Sequence, residues 1–189
     1  MLESLKKRLE NHELGKKWKS RCIPGEGPLD AKIMLIGEAG GEQEEKQQRP
    51  FVGRSGQLLR SLLQKAGFDP EKVYITNIVK FRPPENRKPT ATEIESCAEY
   101  LQEEIKEIKP KIIVLLGDTA LKALLGDNYF VTRDNGKVVE RQGIKYLIAP
   151  HPSAGLRFQK YKEMLKEDLE KLKGLMQKPE QKKLAVFRL

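Results

Sequence analysis

Cysteine is scarce in this chain. The 189 residues contain two, Cys22 and Cys97, and no CxxC pair. That excludes a disulfide framework and a four-thiolate metal site. No apolar run approaches the roughly 18 residues a membrane span needs. The N-terminal MLESLKKRLENHELGKK has no apolar signal core, so the expected location is the cytoplasm. Two phosphate-cradling loops are missing as well: no GxGxxG follows the first apolar run, and no GxxxxGK[ST] occurs. Tryptophan occurs once, at Trp18, where a ring of that size is expected to pack. Acidic residues are outnumbered, 27 against 36 Lys and Arg, for a formal net charge of +9. Such an excess suits a polyanionic partner, because basic side chains release counterions from phosphates. Many Lys and Glu together also fit a heat-stable protein.

What is present centres on residues 33–56, IMLIGEAGGEQEEKQQRPFVGRSG. Ile33-Met34-Leu35-Ile36 reads as a strand buried on both faces. Gly40 and Gly41 then allow the backbone a close approach to a ligand. Glu38, Glu42, Glu44 and Glu45 crowd the loop, and Arg49-Pro50-Phe51-Val52-Gly53 presents one ring. Ligands of open α/β sheets bind beyond the carboxyl ends of the strands, so a pocket is expected here.

Further along, leucines at 2, 5 and 9 predict a helix over 2–15. Leu58, Leu59, Leu62 and Leu63 predict another over 57–66, stopped by Gly67. Residues 73–79, 111–117 and 145–149 read as three more strands. Thr90 and Glu93 fit a capping box for the helix between the first two of these. Asp118 or Thr119 caps the next helix, which Gly126 ends. A hairpin is expected over 127–143 around Asp134-Asn135-Gly136, and a last helix over Lys160 to Met176. Strands alternating with helices predict an α/β fold, three-layer α-β-α, with a central four-stranded, mostly parallel sheet. One domain over 1–178 is expected, followed by a tail, 179–189. Glu38 to Glu44, Asn77 and His151 fall at strand ends and would converge on one sheet edge. Asn77 is polar within an apolar run; it either bonds backbone only or offers an amide to a ligand.

The segments GEAGGEQE, RPFVGRSGQLL, VYITNIVK, RPPENRKPT and HPSAGLR, in this order, resemble the uracil-DNA glycosylase superfamily, and most of all its thermophilic family 4 type. The resemblance covers about residues 25–172. It implies a monomeric hydrolase that flips uracil out of DNA and cleaves the N-glycosidic bond. Carried over by position, it implies Phe51 stacking on uracil, Asn77 on its Watson–Crick edge, and backbone N–H groups near Ala39 on a carbonyl. His151 would stabilise the departing base; Glu44 would position water, with Glu38 lining the pocket. Leu156 and Arg157 would form a wedge, with Ser55, Lys80, Arg87 and Ser153 as phosphate contacts. Members of that type hold an iron–sulfur cluster through four cysteines. Here Phe81 stands directly before the Arg82-Pro83-Pro84 run, the N-terminal pair is missing, and only Cys97 falls at a ligand position. One matching thiolate cannot hold such a cluster. The expectation is a protein with no metal or cofactor, its N-terminal segment packed around Trp18, Phe81 or both.

Gln181, Leu184 and Phe187 in the tail stand in the order QxxLxxF, which resembles the box by which repair proteins dock on the DNA sliding clamp. Two rival readings stay open: a non-catalytic DNA-binding module of this fold, and a phosphate- or nucleotide-binding α/β enzyme.

Overall fold

The computed structural model of the chain describes residues 2–177; the tail box therefore lies outside the described residues. The chain begins with α1 (Leu2–Glu10) and α2 (Glu13–Trp18). One continuous helix was expected here. It breaks at Asn11-His12 because the His12 side chain accepts from the Leu14 N–H and caps α2 instead. Then follow β1 (Ile33–Gly37), α3 (Glu42–Gln47), α4 (Arg54–Lys65), β2 (Tyr74–Asn77), α5 (Ala91–Ile108), β3 (Ile112–Leu116), α6 (Asp118–Leu125), α7 (Val131–Asp134), β4 (Val138–Arg141), β5 (Ile144–Ala149), α8 (Pro152–Arg157) and α9 (Gln159–Gln177). The Thr90–Glu93 capping box forms as the sequence predicts. The residue before α6 is Gly117, not Asp118 or Thr119. Those two side chains turn elsewhere: Asp118 accepts from the Val131 N–H, and Thr119 donates to Glu38.

The sheet has five strands, ordered β2-β1-β3-β5-β4. Four are parallel, as expected, and β4 adds an antiparallel edge to β5. The four-strand expectation fails because β4 is largely exposed and carries no buried apolar run to betray it. Its turn is Gln142-Gly143, with φ of 50° and 78°. Two successive positive φ angles match the right-handed twist of a tight hairpin. Asp134 instead ends the one-turn α7 and accepts from the Phe130 N–H.

Strand side chains alternate between two apolar layers. Met34, Ile36, Ile113, Leu115 and Ile148 face α1, α2, α5 and α6. Ile33, Leu35, Val114, Leu116 and Leu147 face α4 and α9. Phe81 anchors the N-terminal helices. It is buried among Leu5, Leu9, Leu14 and Cys97 and stacks on His12 at 5.3 Å between ring centroids. Trp18 packs half-buried at the border of the same layer. Because the strands are parallel, Gly37 is in register with Asn77, and Leu116 with Ala149. One sheet edge thus carries the turns that begin at Glu38, Ile78, Gly117 and Pro150. No helix among the described residues is long and apolar enough to cross a membrane.

Candidate active site

Four residues meet at that edge. Gly37 ends β1, and only a missing side chain fits there. A Cβ would lie 2.5 Å from both Phe51 Cζ and Asn77 Oδ1. Phe51 turns back under the edge with φ of 53°, which places its ring 5.8 Å from that of His151. Phe51 and Asn77 are almost wholly buried.

His151 sits between Pro150 and Pro152 and caps α8. Its Nδ1 accepts from the Ser153 backbone N–H at 3.2 Å and lies 2.8 Å from Ser153 Oγ. A backbone N–H can only donate, so Nδ1 is the bare nitrogen and the proton sits on Nε2. Nε2 is sealed from solvent and has no partner; nor has the buried Asn77 Oδ1. An unpaired buried polar atom costs about 1–3 kcal/mol. Only one other side chain among the described residues carries such an atom, Asp168. A donor and an acceptor left unpaired at one strand edge mark a place where a polar ligand completes the bonding. Burial, with a smaller contribution from Arg157, lowers the pKa of His151 from 6.5 to about 4. At neutral pH the ring is uncharged.

A cleft of about 440 Å³ opens beside His151. Glu38, Ala39, Thr119, Ser153, Arg157 and Tyr161 share its wall. Phe51 and Asn77, buried at the same strand edge, do not line this cleft. Glu38 accepts from Thr119 Oγ1. Glu44 is placed differently from a loop carboxylate. It occupies the first turn of α3, and its Oε2 accepts from the Gly41 N–H at 3.1 Å. Its Oε1 accepts from the Val52 and Gly53 N–H groups at 2.9 and 2.6 Å. This buried carboxylate fastens the turn that holds Phe51, and one lone pair of Oε2 remains. Glu42 is exposed and pairs with Lys46. Glu45 reaches Arg82 at 3.4 Å.

Among the expected phosphate contacts, Ser153 lines the cleft; of the expected wedge pair, Arg157 lines it too and Leu156 is exposed beside them. Ser55 lies half-buried in the first turn of α4. Lys80 is a correction. It is wholly buried, with Nζ 2.6 Å from Thr76 Oγ1 and 2.5 Å from Glu104 Oε2, so no phosphate can reach it. Arg87 is also committed, with both terminal nitrogens on Glu93 at 2.7–2.8 Å and its guanidinium over the Trp18 ring. Lys88 and Asn86 of the same basic segment line the cleft instead. Composition marked the segment, but not which of its cations face outward.

Among the described residues no group of three or more His, Cys, Asp or Glu is arranged to hold a metal ion. The chain's two cysteines do not fit an iron–sulfur cluster, which takes four thiolates. Both are buried, and desolvation raises both thiol pKa values.

The sequence model of the uracil DNA glycosylase superfamily matches residues 24–173. A Type-4 uracil-DNA glycosylase of Thermotoga maritima is 42% identical over 164 residues, covering 85% of this chain and 85% of that protein. One from Sulfurisphaera tokodaii is 38% identical over 197 residues, covering 98% and 90%. One from Archaeoglobus fulgidus is 42% identical over 162 residues, covering 82% and 79%.

Proposed function

Because this chain belongs to the uracil DNA glycosylase superfamily, we infer that it excises uracil from DNA by hydrolysing the N-glycosidic bond. The observation that carries this reading is the unpaired couple, Asn77 Oδ1 and His151 Nε2. The base must leave the stack to be reached. Uracil N3–H then donates to Asn77 Oδ1. Cytosine has no hydrogen at N3 and would leave that acceptor buried and unpaired, a penalty of about 1–3 kcal/mol. The Phe51 ring stacks on the base, and backbone N–H groups near Ala39 take a carbonyl.

As the glycosidic bond breaks, its electron pair goes to the base and positive charge grows on the sugar. His151 Nε2–H donates to the forming uracil anion, and its neutrality keeps the donor from being a stronger acid than the task needs. A water held by a carboxylate adds to the sugar carbon and gives that carboxylate its proton, which returns through solvent to the released uracil anion. Glu44 takes that part through its remaining lone pair, and Glu38 lines the pocket. The test uses a uracil-containing single strand and a U·G duplex, incubated with chelator and then alkali. Breaks at uracil are expected. Binding without breaks would leave a DNA-binding module, and neither would leave the nucleotide-enzyme reading.

The protein acts as a monomer in the cytoplasm and without an iron–sulfur cluster, its N-terminal helices packed on Phe81 instead. Protein purified without oxygen is expected to be colourless, with iron and acid-labile sulfide far below one per chain. Stoichiometric iron and sulfide would overturn this.

Leu156 is 43% exposed at the end of α8, placed to enter the gap that a flipped base leaves. Leu156→Ala is expected to slow excision from duplexes about tenfold more than from single strands, since unstacking a step costs a few kcal/mol. Equal slowing on both would remove the wedge.

The tail box of Gln181, Leu184 and Phe187 is proposed to tether the enzyme to the sliding clamp. Truncation after Pro179 and Phe187→Ala should each abolish clamp binding in a pull-down with the host's clamp. Excision from short oligonucleotides should persist, because Asn77 and His151 precede the cut. Clamp binding that survives both changes would assign the tail another task.

A further inference from the structure

Phe158 is the most exposed large apolar side chain among the described residues, at 60%, and no role given so far uses it. Its exposure is not that of a loose loop. Phe158 joins α8 to α9, and its N–H donates to the Ala154 carbonyl at 2.9 Å. Its carbonyl accepts from the Tyr161 and Lys162 N–H groups at 3.1 and 3.4 Å. The backbone is thus fixed, and the ring is held out of the core by two helices. It meets the Tyr161 ring edge to face, with centroids 6.1 Å apart. Tyr161 and Arg157 line the cleft beside His151. Two aromatic rings therefore run from the cleft wall to open solvent, with Arg157 and Lys160 exposed on either side of Phe158 in sequence. Phe130 offers a contrast: its exposed ring has Lys122 and Arg133 over it.

An exposed ring on a rigid support, flanked by cations and leading into a base pocket, suits one occupant. Every base has a π face, and phosphates supply the matching charge. We propose that the Phe158–Tyr161 ledge is a stacking site for an unpaired nucleobase, the neighbour of the target uracil on the same strand. The proposal rests on the uracil-excision reading above for its orientation. It extends the contact beyond the flipped nucleotide and favours single-stranded substrates, whose bases need no unpairing to reach the ledge.

The test is a coupling measurement with the full chain. Single-stranded oligonucleotides carry 2′-fluoro-2′-deoxyuridine, which resists cleavage, and an abasic spacer is moved through the positions on either side of it. For the unaltered protein one flanking spacer is expected to weaken binding about 5- to 150-fold, the range measured for base–aromatic stacking. Phe158→Ala should weaken binding to the spacer-free strand by the same factor, and the spacer should then cost it nothing further. Phe158→Trp should restore both the affinity and the sensitivity to the spacer. The ledge falls if Phe158→Ala binds like the unaltered protein, or if the spacer penalty is the same in both. It also falls if Phe158→Ala changes sedimentation without DNA, which would mark a contact between copies. Uracil release by the unaltered protein on ordinary substrate separates the two claims. No release overturns the excision reading, whereas release without coupling overturns the ledge alone.

Discussion

His151→Ala is expected to lower the rate of uracil release by about 100- to 1000-fold, the usual cost of deleting a donor aimed at developing negative charge. Affinity for an uncleavable uracil strand should change only a few-fold, because the charge exists only as the bond breaks. Single-turnover kinetics beside a binding titration would read both. Equal loss in the two would make His151 a docking residue. The acid dependence follows from the same burial. The folded-state pKa lies at about 4, below the ordinary 6.5, so the ring is already neutral across the neutral range. Excision should show no inflection near pH 6.5 from this residue, and its acid limb should fall near pH 4. The sign for stability is also fixed. The unfolded chain takes up the proton first, so the contribution of the neutral ring is complete above about pH 6.5 and is lost as pH falls toward 4.

Lys80→Ala should be among the most destabilising single changes in the chain. Lys80 and Glu104 are both fully buried, and their 2.5 Å pair is surrounded by Thr76, Tyr74 and the Gly25 N–H, all bonded to the same carboxylate. Removing the ammonium leaves that carboxylate buried without a counter-charge, at a cost of about 3–5 kcal/mol. Thermal unfolding should shift down by roughly 6–20 °C for a chain of this size. The double change Lys80→Met with Glu104→Leu should be milder than either single one, since no charge is stranded. A single variant that melts within 2 °C of the unaltered protein would mean that water reaches the pair.

The buried parallel strands were legible because each lies in a largely apolar run, and those of β1, β3 and β5 stop at glycine or proline. So were Asn77 and His151, polar residues at the ends of such runs. What could not be read was partnership. Nothing in KFRPPENRKP distinguishes Lys80, turned inward to Glu104, from Lys88, turned to the cleft. A glutamate on the next helix, α5, makes that choice. Glu44 looked like one acid among four, yet two of the amides it binds belong to Val52 and Gly53, eight and nine residues on. The edge strand β4 escaped because a strand exposed along most of its length carries no apolar alternation, although Gln142-Gly143 was a turn signal of its own. Phe158 escaped for the opposite reason: an aromatic near a helix start reads as core until the surrounding structure leaves it outside.

The cap of α8 has a consequence for how such a site is dissected. The placement of the His151 proton is dictated by an amide of the main chain, that of Ser153. Side-chain scanning cannot see it: Ser153→Ala deletes a hydroxyl and keeps the amide. Only proline would take that hydrogen away. An alanine survey would therefore report only what the Ser153 hydroxyl does and would miss the amide that governs which ring nitrogen faces the substrate.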